Sequence, residues 1–145
     1  MDVQQTLKIP VWFWIVSVIA LLWNLMGVGA FIADMSITEE ALAALPEGQR
    51  ELYENNPLWS KIAYGIAVIG GAVGSLLLIL RKKLAKNIFI ISFVAIVIQM
   101  VYNLFIVKSV EVYGPGAYIM PIMVILIGFG LIQFSGYGIK KGWLK

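Results

Sequence analysis

Neither cysteine nor histidine occurs in this chain of 145 residues. Without cysteine, no disulfide can brace a loop and no thiol can serve as nucleophile or ligand. Without histidine, the chain lacks the commonest general base, the commonest metal ligand and the side chain that titrates nearest neutral pH. Charge is scarce too: Asp, Glu, Lys and Arg make up 13% of the residues, against roughly 25% in a soluble domain. The sequence carries no catalytic triad, phosphate-binding loop, nucleotide motif or cluster with metal-ligand spacing. These absences exclude most enzyme classes. The expectation is a protein that is not an enzyme, with no catalytic residue, no metal and no cofactor.

What the chain has in abundance is apolar surface. It is 61% hydrophobic with a mean hydropathy of +0.90, and so few polar residues cannot coat a soluble domain. Four uncharged stretches run over residues 9–33, 62–80, 87–107 and 112–139. A helix rises about 1.5 Å per residue, so roughly 20 apolar residues cross the hydrocarbon of a bilayer. The pattern predicts an all-α membrane protein, a four-helix transmembrane bundle forming one domain over 1–145. Its helices are expected at about 10–33, 60–80, 87–107 and 117–138, with a polar loop over 34–59.

The distribution of charge orients the bundle. Lys8, Arg81, Lys82, Lys83, Lys86, Lys140, Lys141 and Lys145 flank one set of helix ends, and Arg50, Lys61 and Lys108 the other. Lys and Arg collect on the cytoplasmic side, so both termini and the 81–87 loop are expected there. The acidic residues Asp34, Glu39, Glu40, Glu47, Glu51, Glu54 and Glu111 fall on the opposite, outer side. The basic clusters read as topology signals and lipid-headgroup contacts, and a nucleic-acid role is not expected. The first apolar run is longer than the 7–15 residues of a signal peptide and is not followed by a small-x-small cleavage site, so it reads as a retained helix.

Within the outer loop, Ser36 followed by Glu39 has capping-box spacing. Pro46, Gly48 and Asn55-Asn56-Pro57 break the segment into short helical turns. Leu42, Leu45, Leu52 and Tyr53 would lie on the bundle or on the membrane surface. The segment is either a plain cap or a gate, and Asp34 and Glu54 are its candidate gate residues. Pro57 to Lys83 can also be laid on Pro115 to Lys141 without a gap, matching Gly70 to Gly128, as an ancient duplication would.

Polar residues inside the spans are few, and their spacing is helical. Ser17, Ala20, Asn24, Gly27, Phe31 and Asp34 lie along one face of the first helix. Ser92, Ala95, Gln99 and Asn103 do the same on the third. An unpaired amide in hydrocarbon costs several kcal/mol, so these faces must point inward. Asn24, Gln99 and Asn103 are expected to form one interhelical hydrogen-bond network. They either fix helix pairing alone or line a pocket for a small neutral solute, walled by Trp23 and Tyr102. Amides donate and accept while aromatic faces cover C–H surface, a combination suited to a sugar. Ala63, Ala67, Gly71 and Ser75 recur every four residues, and Gly70 with Gly74 makes a GxxxG pair. That stripe marks the second helix as a packing helix, against its own chain, a second copy in a homodimer, or a larger membrane partner.

Several stretches together resemble a known family. They are Leu22-Trp23-Asn24-Leu25-Met26-Gly27, Ala44-Leu45-Pro46 with Leu52-Tyr53-Glu54, Gly74-Ser75-Leu76-Leu77-Leu78, Glu111-Val112-Tyr113-Gly114-Pro115-Gly116 and Lys141-Gly142-Trp143-Leu144-Lys145. The chain is similar over nearly its whole length to small four-span bacterial inner-membrane proteins of unknown function, some of which carry the label sugar transporter. The resemblance implies the topology and a bacterial inner-membrane home. The functional expectation is a carrier for a small neutral solute such as a sugar. The alternative is a non-catalytic accessory subunit that regulates a larger membrane protein.

Overall fold

The computed structural model describes residues 8–106 and 109–145. Pro10 precedes α1 (Val11–Met35), which ends where the Ser36 N–H turns back to the carbonyls of Ile32 and Ala33. Two short helices follow, α2 (Glu39–Ala43) and α3 (Glu47–Glu54). Thr38 caps α2 by accepting from the Ala41 N–H at 3.0 Å. The cap is therefore Thr38 and not Ser36, because α1 extends far enough to use Ser36 as its own terminus.

The remaining spans are α4 (Leu58–Ile79), α5 (Leu84–Val101) and α7 (Ile119–Lys140). Between α5 and α7 stand a π turn at Tyr102–Ile106, a five-residue helix α6 (Ser109–Tyr113) and a 3-10 turn at Pro115–Tyr118. Pro121 sits in the first turn of α7, where its missing N–H is harmless. All four long helices, counting the π turn with α5, are long and apolar enough to cross a membrane. At about 1.5 Å per residue even the shortest spans roughly 33 Å. Their outward faces carry Ile15, Val18, Leu22, Met26, Ile66, Val73, Ile91, Val94, Ile122 and Leu126, all exposed. Hydrocarbon is the solvent such faces require, and the chain is an all-α, multi-pass membrane protein.

The long helices pack in chain order, α1 on α4, α4 on α5 and α5 on α7. The small residues of α4 make this close approach workable. Ala63, Ala67, Gly71, Gly74 and Ser75 are all buried. A side chain added at Gly70 would strike Ser92 of α5, and one at Gly74 would strike Phe89 of α5. One added at Gly71 would land on the Asn24 amide of α1. The stripe therefore serves packing within the chain, on both sides of α4. Gly128, the residue matched to Gly70, likewise faces α5, against Phe93 and Ile96.

At the basic end the bundle is sealed. Phe13 and Leu144 are each 1% exposed, and they pack with Leu78, Phe89, Leu131 and Trp143. Trp12 and Phe13 of α1 meet Phe134 of α7 at ring distances of 5.8 and 5.5 Å, and both also meet Trp143. Residues 143–145 fold back onto the α4–α5 turn. Lys145 N–H donates to the Arg81 carbonyl at 2.8 Å, Lys83 N–H donates to the Lys145 carbonyl at 3.1 Å, and Arg81 Nε donates to the Trp143 carbonyl at 2.9 Å. Arg81 holds a left-handed backbone, φ 60°, which reverses the chain within a few residues. Hence α5 begins at Leu84, three residues before the expected start.

We expect Gly71→Leu to lower stability by about 1–3 kcal/mol through overpacking, measured by thermal unfolding in detergent. Gly29→Leu, which meets nothing within 4 Å, should leave the transition unchanged or slightly raised.

Candidate functional site

A cavity of about 960 Å3 lies between α1, α4, α5 and α7 and reaches the end that carries α2 and α3. It exists because the order of packing leaves α1 and α7 apart along most of their length, while the aromatic seal joins them at the basic end. The two helices form opposite walls, with Trp23, Asn24 and Gly27 on one and Val124, Gly128 and Leu131 on the other. Phe89 and Leu131 close the bottom.

All five residues expected to contact a solute, Trp23, Asn24, Tyr102, Gln99 and Asn103, line this one cavity. They do not form one network. Asn24 Nδ2 donates to the Ala20 carbonyl at 2.8 Å and to Ser75 Oγ at 3.1 Å. Ser60 Oγ donates to Gln99 Oε1 at 2.9 Å, in a buried bond. Asn24 and Gln99 therefore each pair with a serine of α4, because α4 stands between α1 and α5. Ser60 and Ser75 are fifteen residues apart, so the two sites are separated by about 22 Å along the helix. The cavity thus has a deep polar station at Asn24 and Trp23, and a shallow one at Gln99, Asn103 and Tyr102.

Unused hydrogen-bonding capacity fronts the shallow station. Among the described residues, Gln99 uses its carbonyl and not its amide N–H group, and Asn103 has no side-chain partner. Asn56, which also lines the mouth, has a buried Oδ1 with no donor. A buried amide atom without a partner is costly, and a solute or water in the cavity would satisfy it. Asn103 and Tyr102 sit on the π turn. Such turns shift side chains off the regular helical register and recur at functional sites.

The mouth is roofed by α2 and α3. Leu42, Leu52 and Tyr53 line the cavity, so the outer segment lies on the bundle. Two tyrosine hydroxyls tie it down. Tyr53 donates to Asp34 Oδ1 at 3.0 Å, joining α3 to the end of α1. Tyr102 donates to the Asn55 carbonyl at 3.5 Å, joining the far end of α3 to the π turn. Desolvation, the hydrogen bond to Asp34 and the charge of that carboxylate together raise the Tyr53 pKa from 10.0 to about 12. Burial, and then Asp34, raise Tyr113 as well. Of the two candidate gate residues, Asp34 is part of this latch. Glu54 is exposed and outside the cavity lining, because it sits on the outward side of α3.

Sequence reasoning missed Ser60, Asn56 and the latching role of Tyr53. Ser60 adjoins Trp59 and reads as interface sequence, and Asn55-Asn56-Pro57 reads as a helix stop. Only the fold shows that these residues border a cavity. Compared with known protein families, curated proteins and solved structures, the chain matches none.

Tyr53→Phe and Tyr102→Phe should each speed amide hydrogen exchange across residues 39–54 and cost about 1 kcal/mol of stability. Exchange at the wild-type rate in both variants would mean that the hydroxyls do not hold the roof. Because the folded-state pKa of Tyr53 is raised, its contribution is complete below pH 10 and is lost as pH rises toward about 12. Ultraviolet titration should count one late-ionising tyrosine fewer in Tyr53→Phe than in the wild type.

Proposed function

We propose that this protein is a carrier of the bacterial inner membrane that takes up a small neutral, hydroxylated solute such as a sugar through the roofed cavity. The observation that carries the reading is that spare amide groups under the roof, with Asn24 deeper down, front a single cavity of about 960 Å3, at the upper end of the roughly 300–1,000 Å3 common in ligand sites. Trp23 lies beside Asn24, and Tyr102 precedes Asn103, so each station offers an aromatic face next to an amide. No Asp or Glu lies deep in a span, which fits a neutral cargo and not coupling through a buried carboxylate. The lysine and arginine bias supports cytoplasmic termini, and with them a cavity that faces outward. The resemblance to small four-span bacterial proteins supports the inner membrane.

In this reading the solute first meets Gln99, Asn103 and Asn56 under the roof, then Asn24 about 22 Å deeper. The aromatic seal is the barrier to the other side. Four helices are few for a complete path, so a second copy in a homodimer or a larger membrane partner would stand at the side where α1 and α7 do not meet. The alternative role as an accessory subunit rested on a free small-residue face. Gly70, Gly71 and Gly74 are occupied inside the chain, which favours the carrier reading.

The test is thermal stability of the detergent-purified protein against sugars, polyols, small amines and inorganic ions. A solute that binds only the folded state raises stability by RT ln(1 + [L]/Kd). We expect a shift with a sugar or polyol, abolished by Asn103→Leu with the basal transition unchanged, since Asn103 bonds to no described residue. Asn24→Leu is expected to lose binding and also about 0.6–2 kcal/mol per lost bond to α4. No shift with any neutral solute, together with no sugar uptake by vesicles containing the protein, would sink the carrier reading.

A further inference from the structure

On the outer surface of the bundle, away from the cavity, a groove of about 730 Å3 runs between α5 and α7 at the basic end. Lys86 and Lys140 stand at its top, and no carboxylate is among its described lining residues. Lys140, Gly136, Gln133 and Gly130 follow one another down a single face of α7 at steps of four, three and three. Lys86 reaches across from α5 to Gly136, where an added Cβ would lie in ordinary contact, 3.5 Å from Lys86 Nζ. Gly130 leaves the lower groove open, with nothing within 4 Å of an added Cβ. Between these levels is Gln133, exposed on a membrane-spanning helix about 10 Å inward from Lys140. None of the side-chain hydrogen bonds among the described residues involves it. A bare carboxamide facing hydrocarbon is costly, so its place in the span calls for a polar partner supplied by the surroundings.

We propose that this groove binds one anionic glycerophospholipid. The order of chemistry down α7 is the order of such a molecule. Two ammonium groups meet the phosphate at the headgroup level. The Gln133 amide donates to an ester carbonyl below it, and the open lower groove at Gly130, with Ile132 beside it, takes an acyl chain. Free inorganic phosphate shares only the first of these contacts and would leave Gln133 without a partner. The site would clamp α7 to α5, the helix it packs on, and it does not depend on what the central cavity carries.

The test uses the purified full chain in detergent, with thermal unfolding followed as phosphatidylglycerol or phosphatidylcholine of the same acyl chains is added, and with inorganic phosphate in a third arm. We expect phosphatidylglycerol to stabilise at lower mole fraction than phosphatidylcholine, and phosphate to do nothing. Lys86→Gln with Lys140→Gln should weaken phosphatidylglycerol roughly thirtyfold, the product of two lysines near an anionic head, and erase the preference. Gln133→Leu should weaken both lipids alike, because both carry the ester. Lys82→Gln with Lys83→Gln removes the same charge from the same end and should preserve the preference. The proposal is overturned if the two lipids are equivalent, if Lys82→Gln with Lys83→Gln erases the preference as fully as the groove pair, if the preference survives the groove pair, or if inorganic phosphate reproduces the shift.

Discussion

The closeness of α4 to its neighbours governs this structure. In hydrocarbon there is no hydrophobic driving force between helices, so association depends on van der Waals fit and on polar groups finding one another. Gly70, Gly71 and Gly74 bring the backbone of α4 against α1 and α5. That approach places Ser75 within reach of Asn24, Ser60 within reach of Gln99, and the Ala67 carbonyl 2.6 Å from Ser92 Oγ. Asn24, Gln99 and Ser92 are tolerable at their depths because a neighbouring helix is near enough to satisfy them. The same closeness fixes the cavity. With α4 and α5 tightly joined, the spare volume is displaced to the opposite side, between α1 and α7.

Sealing one end and roofing the other give this volume a direction. The seal is aromatic and nearly dry, built from Phe13, Trp143 and Leu144. The roof is polar, amphipathic and held by two hydroxyls. A plug of interlocking rings and a polar segment held by two hydroxyls differ in how readily they yield. Local opening favours segments with few buried apolar contacts, and α2 and α3 bury no residue fully.

Much of the fold is legible in the sequence because a bilayer imposes a single length scale. The helix bounds expected from the four uncharged runs lie within a few residues of the spans, and the Ala63-Ala67-Gly71-Ser75 spacing identifies the packing helix. Which helix stands between which is harder to read. Asn24, Gln99 and Asn103 share a residue type and a helical periodicity, but nothing in their spacing gives relative depth. That quantity depends on α1 and α5 both rising from the basic end while α4 descends between them. The cavity lining was legible for the same reason the spans were, since inward-facing polar residues in a membrane helix have few other places to go. The latch was not, because Tyr53 and Asp34 are separated by a segment whose path only packing decides.

The chain order of the packing has a consequence for assembly. Every closely packed pair of spans is adjacent along the chain, so each helix can find its partner as soon as it enters the bilayer, with little loop entropy to overcome. The exceptions come last. Arg81 must wait for Trp143, sixty-two residues later, and Trp12 must wait for Phe134. Until that closure the four helices are an open curtain with no enclosed space. The cavity is therefore the final product of folding, and a chain that stalled before its last few residues would hold every residue that lines the site without having the site.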